Sequence, residues 1–239
     1  SGLDSIVTRT LRNDEKQIAS KYNKYKAYDK ALPTLTHMAL VKLEQEGYLK
    51  YIISQNIDGL HLKSGFPREK ISELHGNINL EICKNEKCGK VFLRDFKTRT
   101  SKKLHEHATG RKCEACGEML YDDITNFKES LPMKPFEEAV LHTRKADLCL
   151  VLGSSLTIYP GSLLPDFVVA QGGKLAIVNL QETVYDDQAL KINGLVDEVM
   201  ARLMCKLNLE VPQFILKRII KIVKTDKAKD DENKKVNPY

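Results

Sequence analysis

Four cysteines fall in two close pairs, Cys83-x4-Cys88 and Cys113-x2-Cys116, with 24 residues between the pairs and a glycine (Gly89, Gly117) directly after each. Thiolates offered from two short loops are what a tetrahedral Zn²⁺ takes up, and four of them leave no open coordination position. The first pair is one or two residues wider than the tightest zinc knuckles, and His105 and His107 lie near enough in sequence to stand in for one thiolate. A disulfide reading needs an oxidising compartment, and no signal-peptide pattern is visible at the start of the chain. A closed four-thiolate site stabilises folding and performs no reaction, so this ion is read as structural. The other two cysteines, Cys149 and Cys205, sit in apolar runs and are expected to be buried and inert.

A second group of chemically capable residues follows short apolar runs. Tyr51-Ile52-Ile53 leads into Ser54-Gln55-Asn56-Ile57-Asp58-Gly59, Leu148–Leu152 into Gly153-Ser154-Ser155, and Leu175–Val178 into Asn179-Leu180-Gln181. Asn, Asp and Ser at such places are also ordinary turn and helix-cap residues with no ligand at all. Three such sites together, one with small residues that open a backbone approach, favour a ligand carrying hydroxyls and phosphates. His75, inside Glu73-Leu74-His75-Gly76-Asn77, is flanked by a glycine and precedes a fourth apolar run, Ile78–Ile82. An imidazole there serves either as a hydrogen-bonded structural group or as a general base.

These residues need elements to hold them. The apolar runs read as short buried strands, and helical patterns separate them at Thr36–Gln45, Phe136–Arg144 and Asp197–Leu207. Strands alternating with helices imply parallel crossovers and a sheet covered on both faces, with ligands beyond the carboxyl ends of its strands. The expected fold is therefore α/β, a Rossmann-like parallel sheet with an inserted small zinc-binding module. Residues 1–80 and 120–212 would form the nucleotide-binding domain, 81–119 the four-cysteine module, and 213–239 a basic tail. That tail reads as an amphipathic helix (Phe214, Ile215, Ile219, Ile220, Val223) fading into a polar end.

Composition narrows the function classes. The 239 residues are 42% hydrophobic, too apolar for a disordered chain, and their longest apolar runs fall far short of a membrane span. The net charge of +6 is concentrated locally. Residues 84–112 hold ten Lys/Arg against three acids, and 217–239 hold eight against four. Solvated faces are the ordinary reading of such runs; binding to DNA, a nucleosome or another polyanion is the sharper one. Only 13 glycines occur, and no G-x-G-x-x-G or Walker-type loop is present. The chain starts at Ser, and a phosphate-binding front piece is expected to be missing from it.

The motifs bear a family resemblance. Ser54–His61 resembles the Gln-Asn-x-Asp segment of sirtuins, and Glu73–Asn77 their catalytic-histidine loop. Gly153-Ser154-Ser155-Leu156, with Pro160 and Leu164-Pro165, is similar to their Gly-Thr/Ser-Ser-Leu turn, and Ile177–Gln181 to the strand that holds the adenosine ribose. Pro33–Leu40, Ser130-Leu131-Pro132, Gly194–Met200 and Leu209–Pro212 are most similar to the nuclear class IV sirtuins. The resemblance runs in order over residues 31–212.

The resemblance implies NAD⁺-dependent removal of acyl groups from protein lysine, with nicotinamide and O-acyl-ADP-ribose as products. His75 would be the base that takes a proton from a ribose hydroxyl. Asn56 and Asp58 would line the nicotinamide pocket, and Gln55 would meet the ribose. Gly153, Ser154 and Ser155 would approach ribose and phosphates, Asn179, Leu180 and Gln181 the adenosine ribose, and Val196 the adenine. An acyl-lysine peptide, with histone tails as the expected class, would lie as a strand beside Ile124-Thr125-Asn126-Phe127. NAD and Zn²⁺ are the implied cofactors, and a nuclear location is implied, with the cytoplasm as the alternative. Two departures stand out. The family's Gly-Ala-Gly-x-Ser loop and Pro-Asp-Phe-Arg run are absent, and Lys128 occupies a place where many relatives have Gly or an acid, which bears on acyl preference. A truncated chromatin- or nucleic-acid-binding homologue and a mono-ADP-ribosyltransferase are the competing functions.

Overall fold

Three of the four apolar runs become parallel strands. A computed structural model describes residues 31–216, and within it β1 (Ile52–Ser54) pairs in parallel with β2 (Ile71–Glu73), Ile52 opposite Ile71. Further along the chain, β7 (Leu148–Leu152), β8 (Lys174–Val178) and β9 (Leu190–Ile192) form a second parallel sheet in that order. Among the described residues neither β1 nor β7 has a partner on its other edge.

Helices cover both faces. α1 (Leu35–Gln45) begins at Thr34, whose extended backbone (ψ 176°) and N–H donated to His37 Nδ1 (3.2 Å) set the first turn. It buries Met38, Ala39, Leu40, Val41 and Leu43, and stops before Gly47. α5 (Val196–Lys206) lies against it through Met200 and Met204, both essentially sealed from solvent. Ile52 and Ile71 complete this cluster, and Leu150 and Leu152 of β7 pack on it, so the two parallel sheets share one helical layer. Successive strand residues point to opposite faces. Ile53 accordingly joins the other layer, where Leu74 meets α3 (Met133–Thr143) through Ala139 and α4 (Leu164–Ala170) through Leu164. A third cluster, Val151, Leu156, Leu175, Ile177 and Tyr185, fills the far side of the second sheet.

One carboxylate ties the first helical layer together. Asp197, in the first turn of α5, accepts hydrogen bonds from Thr34 Oγ1 (3.0 Å), Thr36 N (3.0 Å) and Thr36 Oγ1 (2.5 Å) at the start of α1. A negative charge between two helix N-termini is favoured by both dipoles. Although burial works against ionisation, these hydrogen bonds hold the carboxyl below its ordinary range.

The fourth apolar run departs from expectation. It forms β3 (Leu80–Cys83), which belongs to an antiparallel sheet and not to the parallel one. With β4 (Val91–Leu93), β5 (Ala108–Lys112) and β6 (Met119–Asp122), its order is β4-β3-β6-β5. The first cysteine loop turns β3 straight back into β4, so no crossover helix intervenes and the pairing must be antiparallel. Glu81 of β3 is fully buried here, with Arg94 Nε at 2.8 Å and Arg111 Nε at 2.5 Å. Burial alone would raise its pKa; the Thr109 hydroxyl and the two guanidiniums hold it below the ordinary value.

No helix among the described residues is long and apolar enough to cross a membrane. The expected tail helix lies outside the described residues except for Phe214, Ile215 and Leu216, which carry no regular structure.

Candidate functional site

The four cysteine sulfurs converge. Cys83 and Cys88 come from the β3–β4 turn and Cys113 and Cys116 from the β5–β6 turn, with all four Sγ atoms within 4.8 Å of one another. Cys83 to Cys116 is 3.4 Å and Cys88 to Cys113 is 3.7 Å. A tetrahedral Zn²⁺ with bonds of about 2.3 Å needs sulfurs about 3.8 Å apart, so the donor set and the spacing both fit. His105 and His107 do not substitute for a thiolate; both contact Glu129, at 2.7 and 3.0 Å. Cys149 is partly buried, and desolvation pushes its thiol up to about 11. Cys205, expected to be buried, is exposed on the last turn of α5. The inward positions of that helix are taken by Met200 and Met204, and Cys205, one residue on, points away.

The carboxyl ends of β1 and β7 meet through Gln55. Its side chain accepts from Ser154 Oγ (3.3 Å) and donates to the Ile158 carbonyl (3.3 Å), while its own carbonyl lies 3.0 Å from His75 Nδ1. A carbonyl can only accept, so Nδ1 carries the proton, and the neutral ring leaves Nε2 free to take one. The His75 carbonyl receives the N–H of Thr125 (3.0 Å), which brings the expected peptide edge against the histidine loop. Gly76 makes that approach possible. Its φ is +79°, and a Cβ there would fall 1.8 Å from the Asp123 carbonyl oxygen.

Asn56 is exposed, and Asp58 caps the short helix α2 (Leu60–Lys63) by accepting the Leu60 N–H (3.0 Å). Ser155 pairs with Thr157 (2.9 Å) and not with another expected site residue. Gly153, Asn179, Leu180, Gln181 and Val196 line one cavity of about 260 Å³, together with Gly194 and Leu195. Its walls combine the exposed apolar side chains of Leu180 and Leu195 with the amides of Asn179 and Gln181. That mixture suits a flat heterocycle joined to a hydroxylated sugar.

Ile124 and Thr125 are half-buried and Phe127 is 81% exposed. Asn126 is clamped: its N–H and side-chain amide both donate to Glu129 Oε2 (2.7 and 3.0 Å), and Arg99 Nη1 reaches its Oδ1 (3.3 Å). Glu129 in turn holds His105 and His107, and His107 reaches Asp122 (3.0 Å) on β6. The segment is thereby fastened to the cysteine module. Lys128 has φ +72°, the left-handed region in which glycine is at ease.

Several residues of the site escaped the sequence. Glu73 and Asp123 are half-buried carboxyls that both bond Asn77, two residues after His75. Desolvation pushes Glu73 up to about 7 and Asp123 up to about 6. His61 lies against His37 with ring centroids 4.8 Å apart and the planes tilted by 49°, its Nδ1 has no partner among the described residues, and burial lowers its pKa to about 4. Glu73 and Asn77 flank the histidine in one motif and were legible as neighbours; Asp123 gave no signal, because only the fold brings it there.

Residues 3–160 match the model of the "Sir2 family". The chain is 45% identical over 208 residues to "NAD-dependent protein deacetylase SRT1" of Arabidopsis thaliana, covering 86% of this chain and 43% of that protein. It is 42% identical over 192 residues to "NAD-dependent protein deacetylase sirtuin-7" of Homo sapiens, covering 77% of this chain and 48% of that one. The chain thus spans less than half the length of both relatives. Among solved structures, "Sir2-p53 peptide-NAD+" superposes with a TM-score of 0.60 at 34% identity, over 82% of this chain and 78% of the other.

Proposed function

The chain belongs to the Sir2 family, and from that premise we propose that it removes acyl groups from protein lysine in an NAD⁺-dependent reaction, with His75 as general base. The observation that carries the proposal is the junction at Gln55. One residue fixes the Nδ1–H tautomer of His75 through its carbonyl and ties the Gly153-Ser154 turn through its side chain. The base is therefore held beside the turn that leads into the 260 Å³ cavity.

In this reading NAD⁺ supplies the nicotinamide leaving group and the ribose that receives the acyl group. Asn179, Leu180, Gln181 and Val196 would hold its adenosine end; Gly153, Ser154 and Ser155 would approach the phosphates and ribose. Gln55, Asn56 and Asp58 would form the nicotinamide end, where Nε2 of His75 takes the hydroxyl proton. The peptide would add as a strand to Ile124–Phe127, with Thr125 already anchored to His75 and Asn126 to Glu129. Zn²⁺ held by Cys83, Cys88, Cys113 and Cys116 would brace the antiparallel sheet and have no open position for substrate. The division into a nucleotide-binding domain (1–80 and 120–212), a cysteine module (81–119) and a basic tail (213–239) is part of the same reading, as are histone-tail substrates and a nuclear location.

The test is nicotinamide release from an acyl-lysine peptide and NAD⁺ by the full chain, lost in His75→Tyr. A chain that binds NAD⁺ and peptide yet releases no nicotinamide would overturn it, and labelled NAD⁺ that leaves ADP-ribose on protein would point to transfer instead. A second reading, polyanion binding to DNA or a nucleosome, is favoured by the ten basic residues within 84–112. It is checked by a steep salt dependence of binding that weakens as those residues are neutralised.

A further inference from the structure

Two chain segments that carry site residues touch the fully buried side chain of Asn77, and a third meets its backbone. Its Nδ2 donates to Glu73 Oε1 at the end of β2 (2.7 Å), its backbone N–H donates to Asp123 Oδ2 (3.1 Å), and its Oδ1 accepts the Asn79 N–H (2.9 Å). The second segment at the side chain is the Asn56–Gly59 loop. A Cβ on Gly59 would lie 2.8 Å from Asn77 Oδ1, so the loop backbone rests directly on the amide group. The next residue locks the same contact, Ile78 N–H donating to the Ile57 carbonyl (2.9 Å).

We propose that Asn77 is a positioning residue that sets the histidine loop and the Asn56–Gly59 loop in mutual register, a role that rests on the deacylase reading. The side chain suits this task because it donates to Glu73 and accepts from Asn79 at once while staying neutral beside a half-buried carboxyl. A hydrophobic residue would leave Glu73 and the Asn79 amide short of partners while keeping the backbone bond to Asp123, and a charged one would add charge beside Glu73. Charges also act on this cluster from Arg68, Asp58 and Asp122, on the neighbouring segments.

The experiment is amide exchange on the full 239-residue chain, corrected for intrinsic rates. In Asn77→Ala, peptides covering 54–60 and 73–79 should exchange at least tenfold faster, while those covering 148–152 and 174–178 stay within twofold. Uniform acceleration would show a merely structural residue, and an unchanged pattern would show no role; either overturns the proposal. Asn77→Asp serves where the alanine variant unfolds. It keeps the acceptor for Asn79 but donates to Glu73 only when protonated, so protection of these two segments should approach wild type at pH 5 and fall by pH 8. No pH dependence beyond wild type would count against the proposal.

In turnover, Asn77→Ala should lower kcat at least tenfold and leave KM for NAD⁺ within threefold, because the adenosine cavity does not include it. An equal change in both would refute positioning. A wild-type chain that releases no nicotinamide would sink the deacylase reading, and the exchange pattern would still decide on Asn77.

Discussion

Replacing Glu73 by Gln should make the protein less sensitive to rising pH. Glu73 sits half-buried at the end of β2, and desolvation, aided by the charge of Asp123, pushes it up to about 7 from an ordinary 4.5. Asn77 and Arg68 act the other way and are outweighed. The native state therefore holds a proton that the unfolded state has released between pH 4.5 and 7, and stability falls as pH climbs through that window. At 1.36 kcal/mol per tenfold, the gap sets an upper bound of about 3 kcal/mol; partial solvent access reduces the expected loss to about 1–2 kcal/mol. Asp123, raised to about 6 by burial, adds a slope of the same sign at lower pH. His61, lowered to about 4 by burial, adds the opposite sign, because stability is lost as pH falls from 6.5 towards 4. The raw profile of the wild type mixes all three. The difference between wild type and Glu73→Gln isolates the Glu73 contribution together with its coupling to Asp123, since the His61 contribution is common to both proteins. Urea unfolding at pH 5, 6, 7 and 8 should show the variant gaining about 1–2 kcal/mol on wild type across that range. A difference independent of pH, or one that narrows as pH rises, would refute the reasoning.

Three other outcomes are expected. Removing metal with a strong chelator should release one Zn²⁺ per chain and lower Tm sharply, as should Cys113→Ser, while Cys205→Ser on the exposed face of α5 leaves metal content and Tm unchanged. Met200→Ala, which empties a fully buried position between α1 and α5, should cost about 2–5 kcal/mol in urea unfolding. Lys128→Gly should stabilise by about 0.5–1 kcal/mol, the relief of a left-handed backbone (φ +72°) less the extra freedom of glycine in the unfolded chain, read as a small rise in Tm.

Local chemistry was legible in the sequence, and long-range placement was not. The cysteine quartet could be read from spacing alone because two turns suffice to present four thiolates. The strands at 52–54, 148–152 and 174–178 announced themselves as apolar runs with polar ends. β2 and β9 did not, since three residues give too few alternations to show a period. The helix expected from Phe136 begins at Met133 instead, because Pro132 serves as its N-cap and Pro135 falls in the first turn, where a missing N–H costs nothing. Ile78–Ile82 was identified as a strand, but its sheet was misjudged: an apolar run carries no information on whether its partner runs parallel. Asp123 lies 46 residues from Asn77 and meets it only through the fold.

The clamp on Asn126 has a thermodynamic corollary. Arg99, His105 and His107 belong to the loop that leads into β5, the strand that ends beside Cys113; Arg99 bonds Asn126 directly, and the two histidines hold Glu129, which clamps it in the segment at 124–127. Whatever free energy the metal contributes to ordering that loop is felt at the segment, and coupling between two binding events is reciprocal. A ligand that binds better to the ordered segment must raise the affinity for Zn²⁺ by the same factor that Zn²⁺ raises its own. An ion with no part in the chemistry can thus set how tightly a peptide is held, and the peptide can set how slowly the ion leaves.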